Sequence, residues 1–161
     1  MALADILTWV RGEVAAATGT TAAQVHDGIR WAKSEAEFRS LFRVAATGRV
    51  HGWMVTWDGA DEEYRTGSVT NLSRRTHSIR CVGVYALDDP GSGTTMTSEL
   101  AFRVVVEAVC DRLRGKFDAG GNAEQVSAPE VAIFEPRTIR GVLVHYTEIV
   151  FEVVERKDYT A

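Results

Sequence analysis

The spacing of apolar residues changes along the chain, and each change marks an element. Over residues 98–117, SELAFRVVVEAVCDRLRGKF, Phe102, Val105, Val106, Val109, Leu113 and Phe117 recur every three or four positions. That places them on one face of an amphipathic helix. Arg103, Glu107, Asp111 and Arg114 fall on the opposite side. Thr95, Thr97 or Ser98 supplies a capping oxygen, and Glu99 adds favourable charge in the first turn. Gly115, or the glycines at 120 and 121, ends the helix. Leu100, Ala101, Val104 and Ala108 form a second apolar row away from the first. A helix with two such rows is expected to touch two partners: its own sheet, and either a second helix or another subunit.

The same periodicity organises the rest of the chain. Leu3, Ile6, Leu7, Val10 and Val14 predict a helix over residues 3–17, stopped at Gly19. Residues 25–31 are short and extended at best. Ser34 and Glu37 make an S-x-x-E capping box ahead of Phe38, Leu41, Phe42 and Ala45, and Gly48 closes this second helix. Over residues 50–57 the period falls to two. Trp53, Val55 and Trp57 alternate with Met54 and Thr56, which predicts a strand. Residues 58–67, DGADEEYRTG, are polar with glycine near both ends, and they read as a functional or disordered loop.

Residues 68–87 predict the next strand. Ile79, Cys81, Gly83, Tyr85 and Leu87 point one way, and Arg80, Val82, Val84 and Ala86 the other. Both sides become apolar, so this strand is expected to be central and covered on both faces. Residues 88–97 form a loop. A strand over 130–135 ends at Pro136, a turn covers 137–141, a long last strand runs over 142–154, and 155–161 is a charged, frayed tail. The predicted order is ααββαββ. It describes a single α+β domain spanning residues 1–161, with a mixed or mostly antiparallel sheet of about four strands flanked by helices.

Composition narrows the partners. The chain has 161 residues, 45% hydrophobic and 25% charged, enough for one well-formed core. Its net charge of −4 disfavours nucleic acid as a surface ligand. Cys81 and Cys110 lie in no CxxC and at no zinc spacing, and they read as buried apolar residues in a reducing compartment. No apolar run reaches the ~20 residues of a membrane span. No secretory signal is recognised, so folding in a cytoplasm is expected.

Candidate chemistry is sparse. His26, His51, His77 and His145 fall in no HExxH or nucleophile motif. His145, beside Tyr146 and near Glu148, reads either as part of an acid–base pair or as a strand histidine satisfied by a hydrogen bond. His77 lies among Arg74, Arg75 and Arg80, a basic strand start that suits phosphate, solvent or a neighbouring subunit. GSG at 91–93 is not GxGxxG, and the acids of 58–63 lack EF-hand spacing. Trp31, Trp53 and Trp57 suit either a core or an interface. No catalysis, cofactor or metal is expected.

The phrases VHDGIRW, RVHGWMVTW, RTHSIRCVGVYALDD, SELAFRVVVEAVCDRLR and RGVLVHYTEIVFEV follow one another in this order. Over about residues 3–154 the pattern resembles the tail terminator, or tail completion, proteins of long-tailed bacteriophages. The resemblance implies a non-enzymatic virion protein with a sheet flanked by helices. Such proteins form a six-fold ring, assembled in the host cytoplasm, at the head-proximal end of the tail. The ring stops polymerisation of the tail tube protein and offers a docking surface to the head–tail connector or head-closure protein. DNA passes through its lumen without specific binding.

No family residue is diagnostic enough to carry over as a site. The residues themselves nominate Leu100, Val104 and Ala108 for subunit contact, with Arg74, Arg75 and Arg80 against an acidic patch of the next copy. Asp58, Asp61, Glu62, Glu63 and Tyr64 are expected on a mobile loop that faces the lumen, or else on a solvated outer tip. The alternatives are a head-closure or neck protein of the same assembly, and a small cytoplasmic enzyme using His145.

Overall fold

The computed structural model describes residues 3–66, 71–87, 97–116 and 123–158. Its elements are α1 (Leu3–Ala15), β1 (Val25–Asp27), α2 (Glu35–Phe42), β2 (His51–Thr66), β3 (Asn71–Ala86), α3 (Thr97–Leu113), β4 (Gln125–Val126), β5 (Glu130–Ile139) and β6 (Val142–Asp158), with a 3-10 turn at Ala22–Gln24 before β1. The fold is α+β. The sheet runs β1-β2-β3-β6, and β4 and β5 both pair with β6 beyond it. Among the described residues only β1 is parallel to its neighbour, and every other pairing is antiparallel.

Among the described residues six strands stand where four were expected. The additional two, β1 and β4, have three and two residues, too few for any period to register. Pro136 does not end β5, which continues to Ile139. Among the described residues β5 pairs on one side only, as an edge strand does, and there a residue without an N–H is tolerated. The turn that joins β5 to β6 is Arg140–Gly141, both at positive φ (52° and 83°), the geometry that matches the twist of a two-residue hairpin.

The pleat sorts β3 as its sequence predicts. Ile79 and Cys81 join Trp53, Val55, Ile149, Phe151 and Val153 on the face that carries α1 and α3. There they meet Ile6, Val10 and Val14 of α1, and Phe102, Val105, Val106, Val109, Cys110 and Leu113 of α3. Each such side chain contributes about 1.5–3 kcal/mol on burial. Phe117 and the glycines at 120 and 121 lie outside the described residues. On the other face Met54, Val82, Val84, Val142 and Val144 pack against Phe38 and Phe42 of α2.

Local signals position these helices. Ser34 Oγ accepts the Glu37 N–H (3.2 Å), as the capping box requires. The Glu37 carboxylate reaches one residue further back than expected, to the N–H of Lys33 (2.7 Å). Gly19 follows α1 at φ +88°, and a Cβ there would lie 2.8 Å from Val105 Cγ2. Glycine is needed for both reasons, and α1 can therefore lie close beside α3.

Two predictions are overturned here. Residues 58–66 are not a loop: they continue β2, in register with β3 from Gly59↔Ser78 to Thr66↔Asn71 after a bulge at Trp57/Gly59. Gly67 lies outside the described residues. Residues 155–158 are not a frayed tail: they continue β6 against β3, and Glu155 is only 1% exposed. Residues 159–161 lie outside the described residues. In both segments polarity suggested solvent, whereas alternating charged side chains are also what a long ribbon with paired charges carries. At 16 or 17 residues, β2, β3 and β6 are each about 50 Å long.

Candidate interaction surfaces

The second apolar row of α3 is divided by its surroundings. Ala108 packs partly against the core, whereas Leu100 and Val104 are each 62% exposed. Of the two partners expected for that row, no second helix covers Leu100 and Val104 among the described residues. α1 lies along the flank of α3, where Arg112 Nη2 meets Glu13 Oε2 at 2.7 Å, and it leaves the outer face open. Next to that face, between α3 and β5, is a groove of ≈ 430 Å³ lined by Val106, Glu107, Cys110, Asp111, Arg114 and Val131.

The segment after β1 carries a second patch. Ile29 is 59% exposed and Trp31 77%. Arg30 and Lys33 are exposed beside them. Among the described residues neither cation forms an ion pair. Of the other tryptophans weighed from the sequence, Trp53 is fully buried and Trp57 is 46% exposed. The sequence signal for this patch was the Trp within a short cationic stretch, IRWAK, but periodicity cannot separate it from a core aromatic.

The acidic and basic candidates turn out to face each other within one chain. Glu62 is the cross-strand partner of Arg75, and Glu63 that of Arg74. Arg75 Nη2 lies 2.7 Å from Glu62 Oε2, and Glu62 also accepts from Ser73 Oγ. Arg80 bridges Asp58 (2.6 Å) on β2 and Glu148 (2.8 Å) on β6. Arg74 lies 3.7 Å from Glu124. Within one copy these arginines already have carboxylate partners, Asp58, Glu62 and Glu148 on the same sheet and Glu124 just before β4. Asp61 and Tyr64 lie on the same ladder, opposite Thr76 and Ser73.

The histidines are placed by the tertiary structure. His51, Tyr85 and His145 form a row across β2, β3 and β6, with the Phe102 ring over it at 5.4–6.4 Å from each centroid. The Trp53 indole N–H donates to His51 Nε2 (3.2 Å). On the other side of the ring Gln24 Nε2 lies 2.9 Å from Nδ1; a neutral imidazole accepts at one nitrogen only, so the indole and the amide compete as donors to it. Burial pushes the His51 pKa down to about 4. His145 Nε2 lies 2.9 Å from Ser98 Oγ in the first turn of α3, and both residues are buried.

His145 therefore does not pair with Tyr146 and Glu148. Consecutive strand residues point to opposite faces, and the Tyr146 hydroxyl donates to Glu148 on the α2 side. Burial, then the bond to Glu148, raises the Tyr146 pKa to about 12. The acid–base pair considered for this strand is not formed.

His77 pairs instead with Glu155 (3.1 Å), both buried on the side of α1 and α3. Cys81 and Cys110 are buried free thiols, each with its pKa raised by burial. Among the described residues no group of three or more His, Cys, Asp or Glu side chains converges to hold a metal ion, and no helix is long and apolar enough to cross a membrane. The chain matches no model of a known protein family and no curated protein.

Proposed function

We propose that this chain is a structural, non-enzymatic virion protein of a long-tailed phage. In this reading it is a tail terminator whose copies close a ring, a hexamer, on the head-proximal end of the tail tube. The ring stops polymerisation of the tube protein and presents its free side to the head–tail connector. One observation carries the reading: a small chain bears two unlike exposed apolar patches, Leu100 with Val104 on α3 and Ile29 with Trp31 after β1. A ring of identical subunits uses two different patches on each copy, whereas a two-fold dimer uses one patch twice.

Two further features support it. The phrases that resemble tail terminators fall on β1, β2, β3, α3 and β6, the centre of the fold. Arg74, Arg75 and Arg80 each lie within ion-pair distance of a carboxylate of the same chain. Cations already neutralised hold phosphates weakly, as a lumen that passes DNA requires.

The test is genetic and structural together. A phage lacking the gene is expected to make tails of unregulated length that do not join heads, and the purified protein is expected to form rings in negative-stain images. Tails of normal length joined to heads in the deletion strain would overturn the reading.

A further inference from the structure

Building on the ring reading, we propose how neighbouring copies join: the segment 29–33 of one copy docks on the outer face of α3 of the next, with Trp31 entering the groove between α3 and β5.

The projecting side is held in place at both ends. The N–H of Gly28, at φ +64°, donates to Val55 O (2.9 Å), and the chain leaves the sheet there. Ala32 is buried, and the Lys33 N–H is bonded to the Glu37 carboxylate. Between these anchors Ile29 and Trp31 point outward, 59% and 77% exposed. A large aromatic on a fixed backbone loses little freedom on binding, the property of an interface anchor.

The receiving side has matching shape and charge. Leu100 and Val104 form an apolar shelf beside the groove of ≈ 430 Å³, a volume within the range that accepts small organic groups. Val106 and Val131 supply apolar lining; Glu107 and Asp111 line it with acid, and Arg114, also in the lining, pairs with Asp111 at 2.6 Å, which leaves Glu107 as the unbalanced charge. Among the described residues Glu107 forms no ion pair, and neither do Arg30 and Lys33. The cations of one patch thus answer Glu107 on the other. Within one copy α1 packs against β1 and β2 and also against α3. Because the two patches are different surfaces of one chain, docking between copies is head to tail.

The experiment uses the full chain and sedimentation velocity. Trp31→Asp removes the projecting side and Val104→Asp the receiving side. Both sites are exposed, so each variant should melt like the wild-type monomer, while its ring is lost through a dissociation constant raised about a hundredfold or more. Mixing the two variants should give a heterodimer and nothing larger, because only one intact pair of patches remains. Arg30→Glu with Lys33→Glu should also abolish the ring, and Glu107→Lys with Asp111→Lys in the same chain should restore it.

Rings of wild-type size from both single variants would overturn this interface and leave the ring reading standing. So would variants that form rings but fail only on tail tubes, since the patches would then face the tube protein. Monomeric variants that do not combine on mixing would likewise overturn it. A wild-type chain that forms no ring, alone or on tube ends, would overturn the ring reading itself.

Discussion

The Glu62 carboxylate meets the Arg75 guanidinium at 2.7 Å, each the direct cross-strand partner of the other on β2 and β3. This contact joins two segments that the sequence presents separately, an acidic stretch and a basic strand start. Opposite charges directly across a ladder add roughly 0.2–1 kcal/mol each. They also set the register, because a slip of one residue would move these side chains to opposite faces.

The ion pairs should differ in worth. Arg75 and Glu62 remain partly solvated, so Arg75→Met is expected to cost less than about 1 kcal/mol. Arg80→Met should cost more, about 2 kcal/mol, because Glu148, only 8% exposed, would lose its cation. Urea unfolding of the two variants checks this, and equal losses would contradict it.

His51 should make stability depend on acid. Its folded pKa of about 4 lies below the ordinary 6.5, so the unfolded chain binds the proton more readily. The contribution is intact above pH 6.5 and is lost as pH falls toward 4, up to about 3 kcal/mol. Unfolding midpoints between pH 7 and pH 4 should show this slope, and His51→Gln should flatten it. An unchanged slope in the variant would show that other groups carry it.

Gly52 should tolerate no side chain. A Cβ built there would lie 2.2 Å from Phe42 Cδ1, because the α2 ring rests directly on β2. Gly52→Ala is expected to cost about 1–3 kcal/mol through overpacking. Combining it with Phe42→Leu should recover part of the loss, and a wild-type melting temperature for Gly52→Ala alone would refute the contact.

Hydrogen exchange should report the strand character of residues 58–66. Beyond β1 the outer side of β2 carries no strand among the described residues. Amides directed at β3 should be protected, and those directed outward should exchange fast, in alternation. Uniformly fast exchange along the segment would return it to a loop.

Several features were fixed by local sequence alone. The spacing of Ile6, Val10 and Val14, and of Phe102, Val106, Val109 and Leu113, determined two helices and their buried faces. Ser34 and Glu37 determined the start of α2, and the alternation from Ile79 to Val84 determined a central strand covered on both sides. These are short-range rules: a side chain's direction follows from its backbone period, and its polarity says whether that direction is toward the core.

What faces what was decided only by the tertiary structure. Asp58 and Glu62 look like solvated loop residues until Arg80 and Arg75 arrive on the next strand to pair with them. His145 found Ser98, 47 positions away, rather than its neighbour Tyr146, because adjacent strand residues cannot share a face. Sequence showed that α3 has a second apolar row, but only packing showed that α1 covers its flank and leaves Leu100 and Val104 open. Pairing, register and exposure depend on contacts between distant segments, and no local period encodes which segments will meet.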